Sequence, residues 1–186
     1  MPNPGGVTKF VVVVGFGGTV GSVVPMELVG VRVEVPANTP VVILREQTGT
    51  QRLLPIVIGT PEASSIHAAL AGIESPRPLT HDLMVQVLER LDTTLQRIVV
   101  TEIRDHVFYA ELHLLCGGRE QVISSRPSDA IALAVRTGSP IFASEALLSE
   151  AGQQPLEVDD HTDEESIIDE FRDFLTDLDP DDFKGD

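Results

Sequence analysis

The sequence predicts an α+β fold: one domain over residues 26–152, a Gly- and Val-rich leader over 1–25, and an acidic linker and helix over 153–186. Three observations carry this reading. The chain has 186 residues and 42% hydrophobic content, enough for a sizeable core. Segments in which apolar residues recur at every second position stand beside segments with three-to-four spacing. Charge is segregated: residues 153–186 hold fourteen acidic and two basic residues, a net −12, whereas residues 26–152 carry a net −5 and their ten basic residues are all arginines.

The elements follow in order. Leu28 to Val35 alternates around Arg32 and Glu34 as a half-buried strand, and Val41 to Arg45 is a second. Gln47-Thr48-Gly49-Thr50 is a hairpin turn into a third strand, Leu53 to Ile58, which Pro55 places at a sheet edge or a bulge. Thr60 caps a helix with Pro61 at its first position and Glu62 in its first turn; it runs to about Leu70 and Gly72 ends it. Pro76-Arg77-Pro78 is a stiff connector. Thr80 caps a second helix, whose apolar positions are Leu83, Met84, Val87, Leu88 and Leu91. A hairpin across Asp105-His106 joins Ile98–Ile103 to Val107–Leu115, and Gly117-Gly118 turns into Gln121–Ser124. Pro127-Ser128-Asp129 opens a third helix that ends at Gly138. A short strand, Ile141–Ala143, and a short helix, Glu145–Glu150, follow. Asp163 to Leu178 reads as an amphipathic acidic helix, a solvated or docking arm through which a protein partner could be recognised.

The leader contains VVVVGFGGTVG, which invites a dinucleotide-binding reading. Gly15-x-Gly17 is followed three residues on by Val20 and no helical pattern follows, so no nucleotide cofactor is expected. We expect the leader to pack poorly, with Met26 as the natural start. No stretch reaches the roughly 20 apolar residues of a membrane span; Phe10 to Val24 is interrupted by four glycines. With no Trp, one Tyr and seven Phe, the core must rest on Val, Ile, Leu and Ala. The single cysteine, Cys116, excludes an internal disulfide, favours the cytoplasm, and lies in an apolar run that suggests a buried, inert thiol.

Three helix starts share a design: Thr60-Pro61-Glu62, Arg77-Pro78-Leu79-Thr80-His81-Asp82 and Arg126-Pro127-Ser128-Asp129. Free N–H groups and the positive dipole end make helix starts anion sites. If the three converge, Arg77, His81, Arg126 and Ser128 would line an anion pocket beside Glu62, Asp82 and Asp129. Arginines would offset phosphoryl charge, His81 would act as acid or base, and the carboxylates could hold a divalent cation. The same residues also read as ordinary caps, dipole partners and ion pairs. The other histidines, His67, His106, His113 and His161, show no zinc-site spacing.

Pro55-Ile56-Val57-Ile58-Gly59-Thr60-Pro61-Glu62-Ala63, Arg77-Pro78-Leu79-Thr80-His81-Asp82-Leu83, Phe108-Tyr109-Ala110 and Ser125-Arg126-Pro127-Ser128-Asp129-Ala130-Ile131-Ala132-Leu133-Ala134 occur in one order. Together, over about Met26 to Gly152, they resemble the bifunctional nuclease domain of bacteria and plants. The closing Asp181-Asp182-Phe183-Lys184 and the helix before it resemble the actinobacterial members. The resemblance implies a curved mixed or antiparallel sheet packed on helices, a homodimer, and hydrolysis of RNA and DNA assisted by Mg or Mn. It carries over Glu62, His81, Asp82 and Asp129 as catalytic residues and Arg77, Thr80, Tyr109, Arg126 and Ser128 as substrate contacts; Glu62, Asp82 and Asp129 are the candidate ligands for a divalent cation, with the metal itself left open. A non-enzymatic module that recognises a phosphorylated ligand or a protein is the alternative, favoured by the mildly acidic body.

Overall fold

In the computed structural model, residues 21–34, 39–73 and 75–154 are described. Residues 1–20 and the expected acidic helix lie outside them. The strands are β1 (Val23–Glu34), β2 (Thr39–Glu46), β3 (Leu53–Val57), β4 (Thr93–Arg104), β5 (Val107–Cys116), β6 (Arg119–Ser125) and β7 (Ile141–Ser144). The helices are α1 (Thr60–Leu70), α2 (Thr80–Arg90), α3 (Pro127–Thr137) and α4 (Glu145–Ala151).

The seven strands form one mixed sheet in the order β3-β2-β1-β7-β4-β5-β6. It is two three-stranded antiparallel meanders joined by β7, which runs antiparallel to β1 and parallel to β4. The two-residue turn Asp105-His106 has φ of 50° and 64°, the positive values a tight hairpin needs to match strand twist. Pro55 sits on β3, an edge strand, where a missing N–H costs little. The expected boundary at residue 26 falls inside β1: Val23–Pro25 pair with Ser144–Phe142, and Val24 is buried in the core.

One sheet face carries the main core. Leu44, Leu54, Ile98 and Leu112 pack with Ile131 and Leu133 of α3. Ala130, Ala132 and Ala134 are buried, and their small side chains let this helix approach the strands closely. Strand alternation puts Tyr109, Glu111 and His113 on the opposite face from Ala110, Leu112 and Leu114. Most of the apolar stripe read in α2 stays outside the core: Leu83, Met84, Val87 and Leu91 are exposed, while Leu88 is half-buried against the core. Cys116 is exposed rather than buried, because its apolar run continues to the end of β5, where the Gly117-Gly118 turn leaves it uncovered.

Candidate active site

Each of the first three helices carries an acid at its third residue: Glu62 in α1, Asp82 in α2 and Asp129 in α3. This position lets a carboxylate face the positive helix end. The expected hydroxyl caps are not used. The capping positions fall one or two residues earlier, on Gly59, Leu79 and Arg126, whose extended backbone turns the chain into each helix. Thr60 and Thr80 are already helical, and Ser128 is a buried second residue of α3. At α2 the capping oxygen comes from Asp82, which accepts the Leu79 N–H at 2.8 Å.

The three helix starts meet. The Arg126 guanidinium donates to Glu62 at 3.0 Å and to both oxygens of Asp129 at 2.7 and 2.9 Å. His81 Nε2 lies 3.2 Å from Asp129 Oδ1, and His81 Nδ1 lies 2.9 Å from Ser65 Oγ. Burial works against the charged form of Asp129. The hydrogen bonds from Arg126 and His81 outweigh it and hold the carboxyl below its ordinary pKa. An ionised Asp129 can only accept, so His81 donates its Nε2–H to it, and in the neutral imidazole Nδ1 then accepts from the Ser65 hydroxyl. Behind this line lies Arg136, whose Nε donates to Asp82 at 2.5 Å and whose Nη2 donates to Ser65 Oγ at 3.3 Å. Arg136 first, and the Leu79 N–H second, hold the Asp82 carboxyl below its ordinary pKa.

This arrangement forms the polar end of a cavity of about 1030 Å³ between α1, α2, α3 and the β5–β6 hairpin. Ser65, Thr80, His81, Glu62, Arg126 and Asp129 line it, and Met84, Leu112, Ile123 and Leu133 supply an apolar wall. Not every expected residue is gathered here. Arg77 is exposed in the α1–α2 connector and does not line the cavity. Tyr109 faces the other side of the sheet, with the Arg104 guanidinium carbon 4.1 Å from its ring centre. Ser128 and Asp82 do not line it either.

The three expected metal ligands are each held by an arginine. Glu62 and Asp129 are engaged by Arg126, and Asp82 by Arg136. Among the described residues no three His, Cys, Asp or Glu side chains converge as ligands for a cation. As arranged, this donor set does not fit a divalent ion.

Sequence reading missed Ser65 and Arg136. Ser65 follows Glu62 by three residues on one face of α1, and Arg136 follows Asp129 by seven on one face of α3. That spacing was the available signal, but nothing local shows that the two faces meet.

Comparison with known proteins gives a consistent picture. The bifunctional nuclease domain matches residues 42–155. An uncharacterized protein of Mycobacterium tuberculosis is 41% identical over 167 residues, covering 86% of this chain and 98% of its own length. Bifunctional nuclease 1 of Oryza sativa subsp. indica is 32% identical over 103 residues, covering 54% of this chain and 31% of the plant protein. Bifunctional nuclease 1 of Arabidopsis thaliana is 27% identical over 124 residues, 65% of this chain and 38% of its own. The match therefore spans about a third of each plant protein.

Proposed function

The chain belongs to the bifunctional nuclease domain family, and from that premise we propose that it is a nuclease hydrolysing phosphodiester bonds in RNA and DNA. The observation that carries this reading is His81 held between Ser65 and Asp129 at the mouth of a large cavity, with Arg126 beside it. His81 is the general acid or base, the group suited to moving protons near neutral pH. Asp129 fixes its tautomer. Arg126, with a 65% exposed side chain, is the cation a phosphate meets first. Glu62 and Asp82 hold the two arginines in place.

Purified full-length protein is to be incubated with single-stranded RNA and DNA in Mg²⁺, Mn²⁺ or EDTA, beside His81→Ala and Arg126→Ala. Both variants are expected to lose at least about a hundredfold in rate. Activity that survives both substitutions, or none from the wild type under any condition, removes the reading. In the second case the mostly apolar cavity favours a non-enzymatic module binding a phosphorylated ligand.

We further propose a homodimer. The exposed Leu83, Met84 and Val87 of α2 and Leu91 just after it support it, as does β6, an edge strand among the described residues. Val87→Glu is expected to give a monomer in sedimentation; an unchanged mass would remove this assignment. No helix among the described residues is long and apolar enough to cross a membrane. From the sequence we propose a cytoplasmic location and a protein partner for the acidic arm.

A further inference from the structure

The geometry points to Ser65 as a covalent nucleophile, activated by His81 and positioned at the cavity wall to attack phosphorus. The inference rests on the nuclease reading and names how that site would cut.

Three observations carry it. The first is connectivity: Ser65 Oγ, His81 and Asp129 form one hydrogen-bonded line at 2.9 and 3.2 Å, spanning α1, α2 and α3. A hydroxyl, an imidazole and a carboxylate in that order form the nucleophile–base–orienting-acid arrangement, recognised by geometry and roles rather than by chain order. The second is the behaviour of two neighbouring serines. A serine inside a helix commonly turns its hydroxyl back to the carbonyl four residues earlier. Ser64 does so, donating to Thr60 O at 2.9 Å, whereas Ser65 turns away to His81. The third is the charge behind the hydroxyl. Arg136, with a side chain only 9% exposed, points Nη2 at Ser65 Oγ from 3.3 Å, where a cation stabilises an alkoxide as the proton leaves.

The chemistry balances without a further reactant except water. Ser65 Oγ attacks the phosphodiester phosphorus and forms an Oγ–P bond while its proton passes to His81 Nδ1. The P–O bond to the leaving sugar breaks on the far side of phosphorus, and the leaving oxygen takes a proton from water, which leaves hydroxide. The hydroxide then attacks phosphorus from that side. The Oγ–P bond breaks, and the proton held on His81 Nδ1 restores the serine hydroxyl. One product ends in a hydroxyl and the other in a phosphate monoester. Because the protein supplies the nucleophile, the 2′-hydroxyl is not needed, and one site cuts both RNA and DNA. Asp129 acts through His81 as a positioning residue.

Two readouts test this separately. Wild-type protein treated with a fluorophosphonate probe is expected to carry one adduct, mapped to Ser65 by peptide mass spectrometry, and His81→Gln is expected to lose it. In the nuclease assay Ser65→Ala is expected to lose about 10³-fold or more in rate with an unchanged urea midpoint. Cleavage is to continue in EDTA, and RNA products are to lack 2′,3′-cyclic phosphate. A Ser65→Ala rate within twofold of wild type, an adduct elsewhere, or loss of cleavage in EDTA overturns the covalent mechanism while the nuclease reading stands. Labelling of Ser65 in a protein that cuts neither nucleic acid does the reverse: the nucleophile holds and the nuclease reading falls.

Discussion

Arg136→Ala probes the part of the site that sequence reading did not find. Arg136 ties α3 to both other helices: its guanidinium donates to Asp82, to the Ala132 carbonyl, and to the carbonyl and hydroxyl of Ser65. Removing one partner of a buried ion pair costs about 3–5 kcal/mol. Asp82 keeps 35% side-chain exposure and its bond from Leu79 N–H, so water recovers part of the loss. The expected destabilisation is about 2–3 kcal/mol, and with a urea slope of about 2 kcal/mol/M the midpoint falls by about 1–1.5 M. Asp82→Asn and the double variant complete a cycle whose coupling should be about 1–2 kcal/mol. The pH dependence follows from sign. The folded pKa of Asp82 lies below the unfolded one, so the pair stabilises above the unfolded value of about 3.9 and fades as pH falls through the folded value. The gap between wild type and Arg136→Ala is therefore full near neutrality and closes in acid. A midpoint within about 0.3 M of wild type, or a gap that widens on acidification, refutes the reasoning.

Three further outcomes are expected. Arg52 donates twice to the buried Glu46 and twice to Glu145, clamping the β2–β3 hairpin to α4; Arg52→Ala should lose about 3 kcal/mol and lower Tm by about 6–12 °C in calorimetry, and a shift under about 2 °C would show the clamp idle. The exposed Cys116 should react fully with a chromogenic disulfide in native protein, whereas protection until denaturant is added would contradict its exposure. Anisotropy titrations with a single-stranded DNA oligomer should give a log–log salt slope of only about −0.7 to −1.5, one or two phosphate contacts; a slope steeper than about −4 would reveal a basic surface elsewhere on the protein.

The order of elements was legible because apolar spacing switches cleanly between two and three-to-four residues, and Pro55 pointed to an edge or a bulge, of which the structure has the edge. Helix starts were legible to within two residues. Their caps were not, because extended backbone at Gly59, Leu79 and Arg126 is chosen by the incoming chain rather than by the hydroxyls nearby. The stripe on α2 looked like core because spacing reports a helical face and not what covers it. His81, Arg126, Glu62 and Asp129 were legible, partly through family resemblance. The line they form was not: Ser65 and His81 are sixteen residues apart, His81 and Asp129 forty-eight, and Asp82 and Arg136 fifty-four. Such pairings depend on how α1, α2 and α3 dock, which no local pattern records.

The expected anion pocket becomes, in the structure, a compensated charge network. Arg126 and Arg136 stand against Glu62, Asp82 and Asp129, so a phosphate entering the cavity competes with Glu62 and Asp129 for Arg126. Desolvating Arg136 and Glu62, the most buried of these groups, in isolation would cost several kcal/mol each, and pairing offsets that cost. The pairs also set the imidazole: an ionised Asp129, fixed by Arg126, selects the His81 tautomer that leaves Nδ1 open toward Ser65. Weak electrostatic capture and a pre-oriented base are thus two results of one arrangement. For the proposed nuclease, binding energy from the apolar wall, rather than from a basic groove, would then hold the substrate against the line. On that proposal selectivity lies in the shape of the cavity between Met84, Leu112 and Ile123, and the charged residues are left to the chemistry.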